Sequence, residues 1–271
     1  WLVGTVLLTL FLLMSNWSQF PNAPLIASVL FPYLVFPWFL VVMVLGVNPV
    51  SGTRVEALAD GILSRPVTRH EYLLAAWLAR VAVVVVPFLL VSIAAASLVM
   101  FAERPEGFED SVSWYGITAS LGVVGLVLVF QVSLAFAAGT LLRRPLFAVV
   151  ILLAIWGPVN GVLSAFNLEE FSPISLSRAI PTLLRQSWVE ADEEETATDQ
   201  VSDEDYERLG NQFAAFLSGG SIQEAPKPEE TAYFDSDQFE DFSLPRVLLG
   251  YGLPTLLSIG LALFCFHVRD L

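Results

Sequence analysis

Covalent chemistry needs a nucleophile with a base and an orienting group, or a cluster of metal ligands. This chain of 271 residues offers few such groups: His70, His267, Cys265 and Lys227 are the only residues of their types. The two histidines lie far apart, and each has one carboxylate beside it in sequence, Glu71 or Asp270. One cysteine permits no intrachain disulfide. No Cys/His cluster has metal-ligand spacing, and no run matches a calcium loop, so no metal is expected. The phosphate cradle G-x-x-x-x-G-K-[ST] is missing, and the one lysine lies in a Pro-rich stretch. Neither a catalytic set nor a bound cofactor is expected, so the residues point to recognition and movement.

Two polar groupings remain. The first is residues 51–80, SGTRVEALADGILSRPVTRHEYLLAAWLAR. Val55, Leu58, Ile62 and Leu63 recur at helical spacing, with Arg54, Glu56 and Asp60 elsewhere on the wheel. This predicts a short amphipathic helix at a membrane surface. Pro66 stops it, and Thr68 with Glu71 forms a T-x-x-E capping box that opens a second helix. Tyr72, Leu73, Leu74 and Trp77 carry that helix into an apolar run, so it reads either as a lever or as a plain surface anchor held by Trp77 and Arg80 at the headgroups. The second grouping is Ser92, Ser97, Gln131, Ser133, Asn160 and Ser164, all inside apolar runs. Gln131 and Asn160 are candidate lining of a substrate path, although hydrogen bonds between helices are the simpler role for them. No carboxylate falls in the middle of a run, which counts against a proton- or ion-coupled carrier.

The elements that must position these residues follow from composition. Hydrophobic residues make up 55% and charged residues 15%, with a mean hydropathy of +0.68. An ordinary soluble domain carries about 25% charged residues. A soluble fold, a disordered chain and a disulfide scaffold are excluded, and the period-2 alternation of a β-barrel is missing. The expected fold class is all-α, a polytopic helical membrane protein. Crossing the hydrocarbon core takes about 20 apolar residues. Six spans are read, at 1–14, 24–47, 78–101, 114–142, 145–166 and 244–268. The first is short and the chain starts without Met, so residues are expected to be missing upstream; it lacks the features of a signal peptide. Pro87, Pro158 and Pro254 are expected to kink or open their helices. Gly122/Gly125, Ala135/Gly139 and Gly157/Gly161 are expected to mark close helix contacts.

Arg54, Arg65, Arg69 and Arg80 in residues 48–80, Arg143 and Arg144 in the next short turn, and Arg269 in the tail share one side. The other side offers only Arg104 in its short loops. This places the Arg-rich loops in the cytoplasm, in a multi-pass plasma-membrane protein. The chain then divides into spans one to five (1–166, with the cytoplasmic region 48–80), an extracytoplasmic segment (167–243), and the sixth span with its tail (244–271). Residues 167–245 hold 19 of the 27 acidic residues against Arg178, Arg185, Arg208 and Lys227. The rest is nearly neutral. Such an acidic balance argues against a nucleic-acid partner, and low Lys with abundant Asp and Glu resembles salt-adapted composition. Within the acidic segment, residues 174–188 and 203–217 have helical periodicity, and 190–205 is a charge run. The segment reads as a lid, a dock for a partner, or amphipathic helices resting on the membrane; the last is the plainest. Asn16-Trp17-Ser18 is a glycosylation-type triplet that arises readily by chance.

The stretch ADGILSRPVTRHEYLLAAWLAR resembles a motif of type-2, exporter-like ABC-transporter permeases, E-x-G-x-x-x-x-L-L-S-x-P-V-x-R-x-x-x-L-x-x-K. The matching positions are Gly52, Leu58, Ile62, Leu63, Ser64, Arg65, Pro66, Val67, Arg69, Tyr72 and Leu73. The ending Phe266-His267-Val268-Arg269-Asp270-Leu271 is similar to the short F-x-x-R-D-L tail of such permeases. Of these families, the permease of the copper-maturation system for nitrous oxide reductase is the one it resembles most. The chain departs from the motif at Ala75, Ala76 and Trp77, where Lys or Gly is usual. The resemblance implies a second permease copy and a separate cytoplasmic ATPase subunit, docked on a coupling helix between spans two and three. By position, Arg54, Glu56, Leu58, Asp60, Arg65, Pro66 and Arg69 form or support that contact, and Arg143 and Arg144 a smaller one. The expected function is export, or transmission of ATP-driven motion to an external partner. The alternative is a non-transporting membrane scaffold whose acidic segment recruits a partner.

Overall fold

A helix that is apolar on every side belongs in the middle of a bundle. Residues 114–141 have that character, and they form the central post of the computed structural model. The structure describes residues 1–35, 38–55, 69–102, 110–142, 144–165, 171–186 and 243–269. All regular structure among the described residues is α-helical. The helices are α1 (Leu2–Asn16), α2 (Asn22–Leu34), α3 (Trp38–Val55), α4 (Arg69–Phe101), α5 (Trp114–Leu141), α6 (Pro145–Ala165), α7 (Pro173–Arg185) and α8 (Leu244–Arg269). Four stretches are long and apolar enough to cross a membrane: Asn22–Val47, His70–Phe101, Trp114–Leu141 and Leu244–Cys265. Leu2–Asn16 and Leu146–Asn160 are shorter apolar helices. Leu7, Leu90, Leu146 and Leu256 are among many large apolar side chains that project outward. Exposure on this scale is what lipid-facing helices require and what a soluble monomer avoids.

Contacts fix the helix directions. Trp77 meets Ser133, Phe88 meets Gly125 and Phe101 meets Trp114, so α4 and α5 are antiparallel. Leu30 and Leu121 share a cleft at one end while Gly139 touches Val47 at the other, so α2 and α3 run parallel to α5. Phe39 packs on Trp156 and Val47 clusters with Ala148, which sets α6 antiparallel to α3. Tyr251 meets Phe130 and Ala262 packs with Phe136 and Ala137, so α8 is parallel to α5. Trp1 meets Trp38 and Asn16 approaches Ser28, so α1 opposes α2 and α3. The helices of the bundle therefore alternate in direction. Val55, Arg69 and the α5–α6 turn lie at one end, here the arginine end. The turn after α1, the α4–α5 connection and α7 lie at the other, here the capped end.

Small residues set the tightest packing. A Cβ on Gly46 would come within 2.5 Å of the Ala135 Cβ, and one on Gly139 within 2.5 Å of the Val47 carbonyl. Backbones approach this closely in membranes where packing, not water, drives association. Ala135 and Gly139 thus make the contact expected of them, within one chain. Gly122 and Gly157 do not: open space surrounds both.

The expected span 24–47 falls within the apolar stretch Asn22–Val47, which is built of two helices, ending at Leu34 and restarting at Trp38. The first ends where Val35 leaves helical geometry, at φ −116° and ψ −88°. Pro87, Pro158 and Pro254 lie inside α4, α6 and α8.

Candidate functional site

The capped end is the best-defined polar assembly. The 13 residues of α7 start with Pro173 at the first turn, where a missing N–H costs nothing. Its Leu176, Ile180, Leu183 and Leu184 recur at helical spacing and are all buried against α2 and α5. The helix expected to rest on a membrane surface is instead inserted between other helices. At its far end, Arg185 grips Asp110 with Nε at 3.0 and 3.1 Å and Nη2 at 2.8 Å, a forked pair. Ser113 caps α5 by accepting from the Gly116 N–H at 2.8 Å, and its own N–H donates to the Leu184 carbonyl at 3.0 Å. The Ser113 hydroxyl donates to the Gln186 carbonyl. Gly116 allows this approach, because a Cβ there would strike the Leu183 and Leu184 carbonyls.

The near end of α7 is tied as well. Ser172 Oγ donates to Asn160 Oδ1 at 3.1 Å, and the Tyr251 hydroxyl donates to the Phe171 carbonyl at 2.9 Å. Beneath α7 lies a narrow apolar gap with room for about one water-sized molecule. Leu13, Leu30, Ala95, Leu121 and Leu184 line it, and Ser92 supplies its one hydroxyl. Nearby, the buried Tyr33 hydroxyl sits within reach of Thr9 and Ser92, without regular hydrogen-bond geometry to either.

The expected path residues separate. Asn160 is buried and fully engaged: its Nδ2 donates to the Trp156 carbonyl at 2.8 Å while Oδ1 receives Ser172. It binds α6 to the root of α7, the bridging role. Gln131 is also buried, yet both amide atoms lack a partner among the described residues. It stands one turn from Ala135, on the side of α5 that meets α3. Ser133 faces the other way, accepting from Trp77 Nε1 at 2.9 Å.

At the arginine end, Arg54 lies in the last turn of α3 and Arg69 opens α4. Arg144 is exposed at the α5–α6 turn. Glu56, Leu58, Asp60, Arg65, Pro66 and Arg143 fall outside the described residues. So do the charge run 190–205 and the stretch 203–217. The capping-box expectation agrees with a helix starting at Arg69, with Glu71 in its first turn.

Arg80, counted among the arginines of 48–80 and read with Trp77 as a headgroup anchor, lies 11 residues into α4, on the inward line of Leu73, Trp77, Val84 and Phe88. That period of three and four was the available signal. Among the described residues no cluster of three or more metal-ligating side chains forms. Comparison with known proteins gives no match to any family model, any curated protein or any solved structure.

Proposed function

We propose that this chain is the membrane permease subunit of an ATP-driven ABC transporter, with six passes, working as a pair of copies with a separate ATPase. The observation that carries the reading is α4. It runs unbroken for 33 residues from Arg69, directly after the Ser64-Arg65-Pro66 motif, to the capped end. That is about 50 Å of rigid helix. Trp77 bonded to Ser133 ties its base to the central post. A displacement of residues 51–68 is therefore delivered along α4 to the gap beneath α7.

In this reading the arginine end faces the cytoplasm, and residues 167–243 lie outside. Arg54, Glu56, Leu58, Asp60, Arg65, Pro66 and Arg69 meet the ATPase or support the contact, with Arg143 and Arg144 as the second one. The substrate path passes Gln131 and leaves under α7, and Asn160 holds the root of that cap. The test is purification from native membranes. An ATPase subunit is expected to accompany the chain, with hydrolysis that falls when Glu56→Arg and Leu58→Arg are combined. Retained coupling in that variant contradicts the contact. A chain that purifies alone, with no nucleotide-linked change, favours the scaffold alternative.

A further inference from the structure

Arg80 occupies a place where its neighbours are apolar. The inward line of α4 reads Leu73, Trp77, Arg80, Val84, Phe88, and Leu73, Val84 and Phe88 are all buried. Arg80 itself is half-buried, and its Nε is shielded from solvent with no hydrogen-bond partner among the described residues. A cation inside a membrane helix is retained for a reason, and it needs an anion. The described carboxylates do not supply one. Asp110 is held by Arg185 at the capped end. Glu71 is nine residues nearer the start of α4, about 13 Å along the axis.

The depth of Arg80 names the anion. Phe101 and Trp114 pack together at the capped end, both exposed, as an aromatic belt at a membrane interface does. Arg80 is 21 residues from Phe101, about 31 Å of helix. The hydrocarbon core is about 30 Å thick. With one belt at Phe101, Arg80 reaches the opposite boundary, and Trp77 supplies an aromatic one turn away. A guanidinium emerging there meets phosphates, and its fork matches two phosphate oxygens.

We propose that Arg80 binds the phosphodiester of an anionic phospholipid, in the leaflet at the arginine end, with Trp77 as the aromatic wall of the site. The shared chemistry is a phosphate oxyanion, and the committed source is the lipid. The proposal does not depend on the ATPase reading.

The test uses the full chain in detergent, with phosphatidylglycerol or phosphatidylcholine added and retention read by native mass spectrometry. The wild type is expected to prefer phosphatidylglycerol by several-fold, because phosphatidylcholine carries the same phosphodiester but offsets its charge with its own trimethylammonium. Arg80→Gln abolishes the preference, and Arg144→Gln at the exposed turn keeps it. Three results overturn the site: an undiminished preference in Arg80→Gln, an equal loss in Arg144→Gln, or inorganic phosphate competing as well as the lipid. If Arg80→Gln does not fold, Arg80→Lys decides. It keeps the charge but lacks the fork, so the preference is reduced, and an unchanged preference overturns the site.

Discussion

Replacing Asp110 by Asn tests whether α7 is a latched cap. The carboxylate receives three bonds from Arg185, at 2.8 to 3.1 Å, and the two side chains are 15% and 31% exposed. An exposed ion pair contributes about 0–1 kcal/mol, whereas breaking a buried one costs about 3–5 kcal/mol. This pair is partly screened, so about 1–2 kcal/mol is expected. That raises the open fraction of the last turn of α7 by a factor of about 5–30. The packing of Leu176 and Ile180 remains, so the first turns should stay closed. Hydrogen exchange reads both: residues 182–186 should exchange faster in Asp110→Asn, and residues 174–180 should not. The charge-reversed pair, Asp110→Arg with Arg185→Asp, should restore part of the protection. If exchange at 182–186 is unchanged in Asp110→Asn, the fork holds nothing and the latch is wrong.

Three further outcomes are expected. Gly139→Ala puts a methyl within 2.5 Å of the Val47 carbonyl, forcing α3 and α5 apart; a loss of about 1–3 kcal/mol should appear in thermal unfolding in detergent. Gln131→Leu removes an amide with no partner, so stability should hold or rise; transport should fall if the amide lines the path, and unchanged transport removes it from that path. Asn160→Ala should behave oppositely, loosening the root of α7 by about 0.6 kcal/mol for the lost bond to Ser172 and increasing exchange there.

Much of the helix layout is legible in the residues because a lipid-facing helix must be apolar over a fixed length. The reading 114–142 matches α5 and 145–166 matches α6 to within a residue. The start of α4 was visible in the Pro66 and Thr68-x-x-Glu71 signals. The end of α2 at Leu34 was not read, because apolar length alone does not mark where one helix stops within a span. The insertion of α7 was missed for another reason. Its amphipathic pattern tells which face is buried, and only tertiary contacts tell whether lipid or protein buries it. The Asp110–Arg185 fork joins residues 75 apart in sequence, which no local pattern reveals. The headgroup anchor of Trp77 and Arg80 was readable from their place near a span end, whereas the position of Arg80 on the inward line shows only in the burial of Leu73, Val84 and Phe88.

The account rests on the Ser64-Arg65-Pro66 motif standing on the cytoplasmic face. Ser64→Cys in a Cys265→Ser background gives the chain a single thiol at that motif. A membrane-impermeant maleimide should label it in inside-out vesicles and leave it unlabelled in right-side-out ones. Labelling from the outer face, or no labelling from either face, contradicts the account.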